Sequence, residues 1–229
     1  MLQVNDYHVA YGRSEVLHGL EFKLNDNEIL AVMGRNGMGK STLMQAMMGV
    51  IPSTSGSIRI GEEDISRLKS HQRVAAGIAF VPQGRWIFSA LTVEENIETA
   101  LAISGRREVP EDIYELFPVL REMRRRRGGN LSGGQQQQLA IARALATNPR
   151  VLLLDEPTEG IQPSIIREMA RVLKRIRDER GLAIIVSEQV VSFALDVADR
   201  ILVLENGRIV HEDLRSEVDE DKIAGYLTV

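Results

Sequence analysis

The sequence predicts an α/β fold with a mixed, mainly parallel sheet among helices, an antiparallel β part near the N-terminus and a helical subdomain. Three observations indicate this fold. Short apolar runs at residues 29–33 and 151–154 are typical of buried parallel strands. A glycine-rich loop follows the first run, and an acidic pair follows the second. Between about residues 91 and 129, apolar residues recur at helical spacing.

The remaining strands, helices and turns are predicted from the spacing of apolar residues and from the positions of turn residues. Gly56 and Gly61 predict turns, and Asn206-Gly207 predicts a hairpin turn before a strand at 208–211. The predicted helices outside the helical region are 42–48 and 164–179. The other predicted strands are 2–10, 20–24, 57–60, 78–81, 182–186 and 201–204.

The glycine-rich loop fits the pattern G-x-x-x-x-G-K-[ST] between a strand and a helix. Its backbone N–H groups are expected to point at phosphate oxygens, and the helix that follows adds the positive end of its dipole. A lysine adds a full charge, and a serine hydroxyl suits Mg2+, which prefers oxygen ligands. We therefore predict that ATP and Mg2+ bind to Gly34, Asn36, Gly37, Gly39, Lys40, Ser41 and Thr42.

The acidic pair Asp155-Glu156 ends a strand whose C-terminal end is expected to open onto the ligand site. Asp155 is predicted to hold Mg2+ through water, and Glu156 to orient or deprotonate the water that attacks the γ-phosphate. The alternative is an exposed acidic turn.

The stretch Leu131-Ser132-Gly133-Gly134-Gln135 lies between these two parts and precedes an apolar-periodic segment. Free N–H groups at a helix start would face an anion there. A simple helix N-cap by Ser132 is equally compatible with the pattern.

With this stretch in that order, the chain resembles the ATP-binding subunit of ABC transporters over nearly its whole length. The resemblance implies a P-loop NTPase core at residues 1–90 and 130–229 and a helical subdomain, about 91–129, that carries the ABC signature. These form one ATPase domain, 1–229. It also implies a dimer in which Ser132 and Gly134 of one subunit contact the γ-phosphate in the other. The implied nucleotide contacts of the signature are Ser132, Gly133, Gly134 and Gln135.

Two further residues take roles that the resemblance implies. Tyr11 matches the aromatic residue that stacks on adenine, although a lone Tyr there is otherwise more often a packing residue. Gln83 matches the glutamine that contacts Mg2+ and the attacking water, although it would otherwise be an ordinary loop residue. The implied metal contacts are thus Ser41, Gln83 and Asp155.

The chain departs from the family pattern at two positions. Gln189 stands where the family normally has a histidine that contacts the γ-phosphate, and Gln162 stands where many relatives have an aspartate that reaches across the dimer. Gln189 retains a hydrogen-bond donor but cannot take up a proton as imidazole does. The expected catalytic set is Lys40, Gln83, Glu156 and Gln189.

The same variations resemble the branch that imports branched-chain amino acids, short amides and urea. Arg35 and the four glutamines at 135–138 look most like the second ATPase subunit of the urea importer. The resemblance therefore implies import of urea or short amides, with branched-chain amino acids as the alternative. The implied partners are two transmembrane permease subunits, a paralogous ATPase or a second copy of the chain, and a separate solute-binding protein.

Composition restricts the location and the partners. The 229 residues contain no cysteine and carry a formal net charge of −4, which argues against general nucleic-acid binding. No apolar segment approaches the length of about 20 residues that a membrane-spanning helix needs. We expect a cytoplasmic chain held at the inner face of the membrane by its partners.

Two local patterns leave alternatives open. The run of arginines at 124–127 favours a solvated helix end over a lipid or nucleic-acid contact, and the main alternative is contact with a membrane subunit or a neighbouring chain. Residues 84–90, with Trp86 and Phe88, favour either core packing or a groove for a permease helix. Two less favoured functions are a soluble ABC ATPase that acts on nucleic acid or ribosomes, and a nucleotide-gated module with little hydrolysis.

Overall fold

The computed structural model describes residues 2–227. Its larger sheet has the strand order β10-β9-β3-β8-β7-β6 and is parallel except for β10, which pairs with β9 in the antiparallel sense. The predicted mixed, mainly parallel sheet is therefore confirmed. Its strands are β3 (Ile29–Met33), β6 (Ile78–Val81), β7 (Val151–Asp155), β8 (Ala183–Glu188), β9 (Arg200–Glu205) and β10 (Arg208–Leu214).

The smaller sheet is antiparallel and has the order β2-β1-β4-β5, which confirms the predicted N-terminal β part. Strands β2 and β4 begin earlier than predicted, because the polar residues at their starts still pair with β1. Its strands are β1 (Leu2–Tyr11), β2 (Ser14–Leu24), β4 (Ser53–Ile60) and β5 (Glu63–Asp64).

The prediction of a turn at Gly56 is wrong, because this residue lies inside β4. It has a φ of 84°, and a Cβ atom there would lie 2.1 Å from the carbonyl oxygen of Asp6. Gly56 thus permits the backbone of β4 to approach β1 closely near Asp6, where the register between the two strands is irregular. The hairpin turn at Asn206-Gly207 is confirmed, with φ values of 46° and 71° that suit the tight turn between β9 and β10.

The helices predicted at 42–48 and 164–179 are present with shifted ends, and the predicted helical region contains four short helices. Three helices, α2, α9 and α10, were not predicted, because each is too short to give a clear period. The helices are α1 (Lys40–Met47), α2 (Ser70–Ala75), α3 (Val93–Glu98), α4 (Leu101–Ser104), α5 (Glu111–Leu116), α6 (Pro118–Glu122), α7 (Gly133–Ala146), α8 (Pro163–Arg180), α9 (Val191–Val197) and α10 (Glu220–Leu227).

Alternating residues of the central strands divide the core between the two faces of the sheet. In β7, Leu152 and Leu154 pack with α3, α7 and α8, whereas Val151 and Leu153 pack with α1 and the N-terminal sheet. This alternation explains why the strand is apolar throughout. Among residues 2–227, no helix is both long enough and apolar enough to span a membrane.

The arginines at 124–127 are exposed, as expected for a solvated segment. They follow the end of α6 rather than forming its last turn. The carbonyl oxygens of Arg124 and Arg126 accept hydrogen bonds from Glu94 N and Val93 N, at the start of α3.

Candidate active site

The register of the parallel sheet gathers the predicted residues at one edge. Met33 at the end of β3 is level with Glu188 of β8, and Asp155 at the end of β7 is level with Ser187. The loops that follow these strands therefore emerge side by side, as ligand-binding loops do in open parallel sheets.

The glycine loop wraps a cavity of about 230 Å³ in front of α1. Gly39 precedes the helix with a φ of 105°, a conformation that favours glycine, and carries no side-chain cap. The Lys40 ammonium donates to the carbonyl oxygens of Gly34 and Arg35, at 2.8 and 3.1 Å. Val16 and eight predicted residues line this cavity: Asn36, Gly37, Gly39, Lys40, Ser41, Thr42, Gln83 and Glu156.

Asp155 lies at the floor of the site and is buried. Its Oδ1 accepts hydrogen bonds from Ser41 Oγ at 3.1 Å and from Ser187 Oγ at 2.5 Å. Burial raises the pKa of this carboxyl, while the two hydroxyl donors act in the opposite direction. Sequence analysis did not identify Ser187 as a site residue, because it was placed after the strand rather than within it.

Glu156 takes a backbone conformation with a φ of 46°, which is uncommon for a residue with a side chain. Its amide donates to Ser187 O at 3.0 Å, so β8 holds this conformation in place. Its carboxylate lies 3.1 Å from Lys40 Nζ and accepts from Gln83 Nε2 at 3.4 Å and from Gln189 Nε2 at 3.2 Å. The four predicted catalytic residues therefore meet at one carboxylate.

Strand β8 extends to Glu188, two residues beyond its predicted end. This extension places Gln189 directly at the edge of the sheet, where its side-chain amide faces Glu156. The sequence prediction assigned that amide to phosphate; in the structure its partner is the carboxylate.

Tyr11 ends β1 and is half exposed. Its hydroxyl lies 3.4 Å from Thr42 Oγ1 in the first turn of α1. The ring is therefore beside the glycine loop but is not packed in the core, in contrast to the alternative interpretation of Tyr11 as a packing residue.

The signature stretch begins α7, where Ser132 is the N-cap. Its Oγ accepts from Gln135 N at 3.4 Å, and the Gln135 side chain accepts from Ser132 N at 2.9 Å. Gly133 and Gly134 form the first turn. Within the described part of the chain, the cavity lining contains none of these four residues, so a single subunit does not bring them to the glycine loop.

The donor set of the cavity fits MgATP. Ser41 and Asp155 supply oxygen ligands to one point, and the glycine loop and Lys40 supply donors for phosphate. No cluster of three or more histidine and carboxylate side chains suited to a metal occurs in residues 2–227. A site with few protein ligands suits Mg2+, which keeps several waters and shares the phosphates of its nucleotide.

Comparisons with known proteins show what this chain is similar to. The family model of ABC transporters matches residues 17–159. The high-affinity branched-chain amino acid transport ATP-binding protein BraG of Pseudomonas aeruginosa is 41% identical over 216 residues, which are 93% of this chain and 92% of that protein. The probable branched-chain amino acid transport ATP-binding protein LivF of Archaeoglobus fulgidus is 35% identical over 223 residues, 96% and 94% of the two chains.

A solved structure extends the likeness to three dimensions. The dimeric, post-hydrolysis structure of the ATP-binding cassette MJ0796 bound to ADP and phosphate has a TM-score of 0.84 and 25% identity to this chain. The match covers 94% of this chain and 99% of that one.

Proposed function

Because this chain belongs to the ABC transporter family and is an ATP-hydrolysing subunit, we propose that it energises an importer of branched-chain amino acids. The meeting of Lys40, Gln83 and Gln189 at Glu156 supports hydrolysis at this site. The relatives BraG and LivF, which are named as branched-chain amino acid transport proteins, support the solute. They favour branched-chain amino acids over the urea or short amides that the sequence resemblance implied.

The proposed chemistry rests on positioning and on charge. The glycine loop and Lys40 hold the phosphates, while Glu156, oriented by Gln83 and Gln189, accepts a proton from the attacking water. Ser41 and Asp155 are the proposed protein contacts of Mg2+, which would neutralise charge on the phosphate oxygens when bound. Tyr11 is proposed to stack on adenine, since it is half exposed beside Thr42.

We propose that a second ATPase subunit completes the site. Ser132 and Gly134 lie outside the cavity of their own chain, and the N–H groups of Gly133 and Gly134 in the first turn of α7 suit a phosphate brought by another subunit. The dimeric state of the compared cassette supports such an arrangement. The partner is a paralogous ATPase in the cell, or a second copy of the chain in isolation.

An apolar groove next to Gln83 is the proposed contact with the permease. The cavity measures about 510 Å³ and includes Trp86, Phe88 and Ile103, of which Trp86 is 73% exposed. Arg143 fixes one wall, because its guanidinium donates to Trp86 O at 2.8 Å and lies 5.2 Å from the Phe88 ring. Exposed aromatic residues in such a groove suit an amphipathic cytoplasmic helix. This contact would hold the chain at the inner face of the membrane.

The test is co-purification of the tagged chain from membranes, followed by transport in vesicles. We expect two permease subunits to co-purify and ATP hydrolysis to drive uptake of radiolabelled leucine when a solute-binding protein is added. Trp86→Ala should reduce permease recovery, whereas the control Val210→Ala, which truncates an exposed apolar residue on β10, should not.

Uptake of urea but not leucine would overturn the proposed solute and leave the importer assignment intact. Recovery of ribosomes or DNA-bound factors without a membrane partner would overturn the importer itself.

A further inference from the structure

Glu188 is the most completely buried carboxylate beside the active site, with 1% of its surface exposed. Its oxygens accept four hydrogen bonds, and the donors belong to two different loops. No cation is among these partners. A buried carboxylate held only by neutral donors depends on all of them, since each lost donor leaves charge uncompensated.

Each carboxyl oxygen of Glu188 accepts hydrogen bonds from a different loop. Oε1 accepts from Thr158 N at 3.1 Å and Thr158 Oγ1 at 2.6 Å, in the loop that follows Glu156. Oε2 accepts from Gln189 N at 3.0 Å and Val190 N at 3.2 Å, in the loop that follows β8. One side chain therefore fixes the backbone on both sides of the proposed catalytic carboxylate.

We propose that Glu188 is a positioning residue that keeps the Gln189 amide and the Glu156 carboxylate in register for ATP hydrolysis. The inference rests on the proposed roles of Glu156 and Gln189. Gln189 Nε2 lies 3.2 Å from Glu156 Oε2 while its own backbone amide donates to Glu188, and Thr158 lies two residues after Glu156. Glu188 thus acts through both residues and does not touch the phosphate cavity.

The four contacts suit a carboxyl group, which offers an acceptor oxygen to each of the two loops. A glutamine of the same shape has one acceptor oxygen and one NH2 group. In either orientation its NH2 group faces N–H donors of one loop, so that loop loses its anchor. Glu188→Gln therefore tests the bridge without creating a cavity.

The experiment measures steady-state ATP hydrolysis with the full chain. Glu188→Gln is expected to lower kcat about 10- to 100-fold, with the KM for ATP within about twofold, because the phosphate loop is unchanged while the water-activating group is misplaced. Thr158→Val, which removes one hydroxyl donor, is expected to lower kcat less. Thr158→Ser keeps the hydroxyl and should stay within about twofold of wild type.

A double-mutant cycle separates positioning from general stability. Because Glu188 acts through Gln189, Glu188→Gln combined with Gln189→Ala should lower kcat little more than the stronger single variant. Multiplicative losses, or a wild-type kcat per folded molecule in Glu188→Gln, would overturn the proposal. If Glu188→Gln does not fold, Thr158→Val decides: a lowered kcat with an unchanged KM for ATP supports the proposal, and a wild-type kcat overturns it.

Failure of the Glu188 proposal can be distinguished from failure of the proposed function. If wild-type chain hydrolyses ATP and Glu156→Gln does not, the active site stands whatever Glu188→Gln shows. If Glu156→Gln retains wild-type turnover, the proposed function fails first.

Discussion

Lys40 Nζ lies 3.1 Å from Glu156 Oε1, and both side chains are almost completely buried. The lysine also donates to two carbonyl oxygens of its own loop. The ammonium is thereby centred in the cavity that the glycine loop encloses, and the carboxylate stands opposite the loop. Removing either partner should expose the separate contributions of the pair to binding and to turnover.

Lys40→Ala is expected to weaken ATP binding about 10- to 100-fold, because hydrogen bonds to a charged group contribute about 1.5–3 kcal/mol. Titration of a fluorescent ATP analogue measures the change. The matched control is Lys174→Ala, which removes an exposed lysine paired with Asp196. Equal affinity of both variants for the analogue would contradict the assignment of Lys40.

Glu156→Gln should retain ATP binding and lose turnover by about 10²- to 10⁴-fold, since the amide cannot accept the proton of the attacking water. Phosphate release gives the rate, and the fluorescent analogue gives the affinity. Glu159→Gln changes an exposed acid in the same loop and should behave as wild type. Near wild-type phosphate release by Glu156→Gln would refute its role as the base.

Gly134→Ala should destabilise the fold, because a Cβ atom there would lie 2.7 Å from Ile165 Cγ2. Overpacking of this kind costs about 1–3 kcal/mol in the free energy of unfolding, which urea denaturation measures. The double variant Gly134→Ala/Ile165→Ala should recover part of the loss relative to Ile165→Ala. If the two changes are additive, the contact between α7 and α8 is not the cause.

Arg73→Met should lower the free energy of unfolding by about 2–4 kcal/mol. Arg73 is 2% exposed, and its guanidinium donates to the carbonyl oxygens of Ala46, Met47, Leu68 and Ser66. The first two lie at the C-terminal end of α1, where a cation is favoured by the helix dipole. The control is Arg67→Met, which changes an exposed arginine nearby. Similar losses in the free energy of unfolding for both variants would contradict the assigned role of the Arg73 hydrogen bonds.

The pKa of His8 is raised from its ordinary 6.5, first by the hydrogen bond to Glu15 and then by the one to Asp6. Protonated His8 therefore adds stability below about pH 6.5. This contribution is lost as the pH rises through the raised pKa of the folded state.

Glu15→Gln should lower the His8 pKa in an NMR titration. The difference in free energy of unfolding between this variant and the wild type should shrink as the pH rises. His18 also contacts Glu15, at 3.2 Å, so His18→Gln is the control that leaves the His8 contact in place. An unchanged His8 titration in Glu15→Gln would contradict the predicted coupling.

Sequence patterns identified every part of the proposed ATP site that is local in the chain. The glycine loop at 34–42, the acidic pair and the helix start at Ser132 are each recognisable because a few consecutive residues determine both the backbone and the chemistry. The same holds for the Asn206-Gly207 turn. Short helices such as α2 and α9 gave no such signal, because one or two turns do not establish a period.

The sequence by itself determined the fold class, the phosphate loop and the acidic strand end, since apolar period and motif spacing are properties of neighbouring residues. Only the tertiary structure decided which side chains meet. Ser187 lies beside Asp155, and Glu188 joins Thr158 to Gln189, across about 30 residues of sequence in each case. These contacts depend on the register between β7 and β8, which long-range packing of the sheet sets and no local pattern encodes.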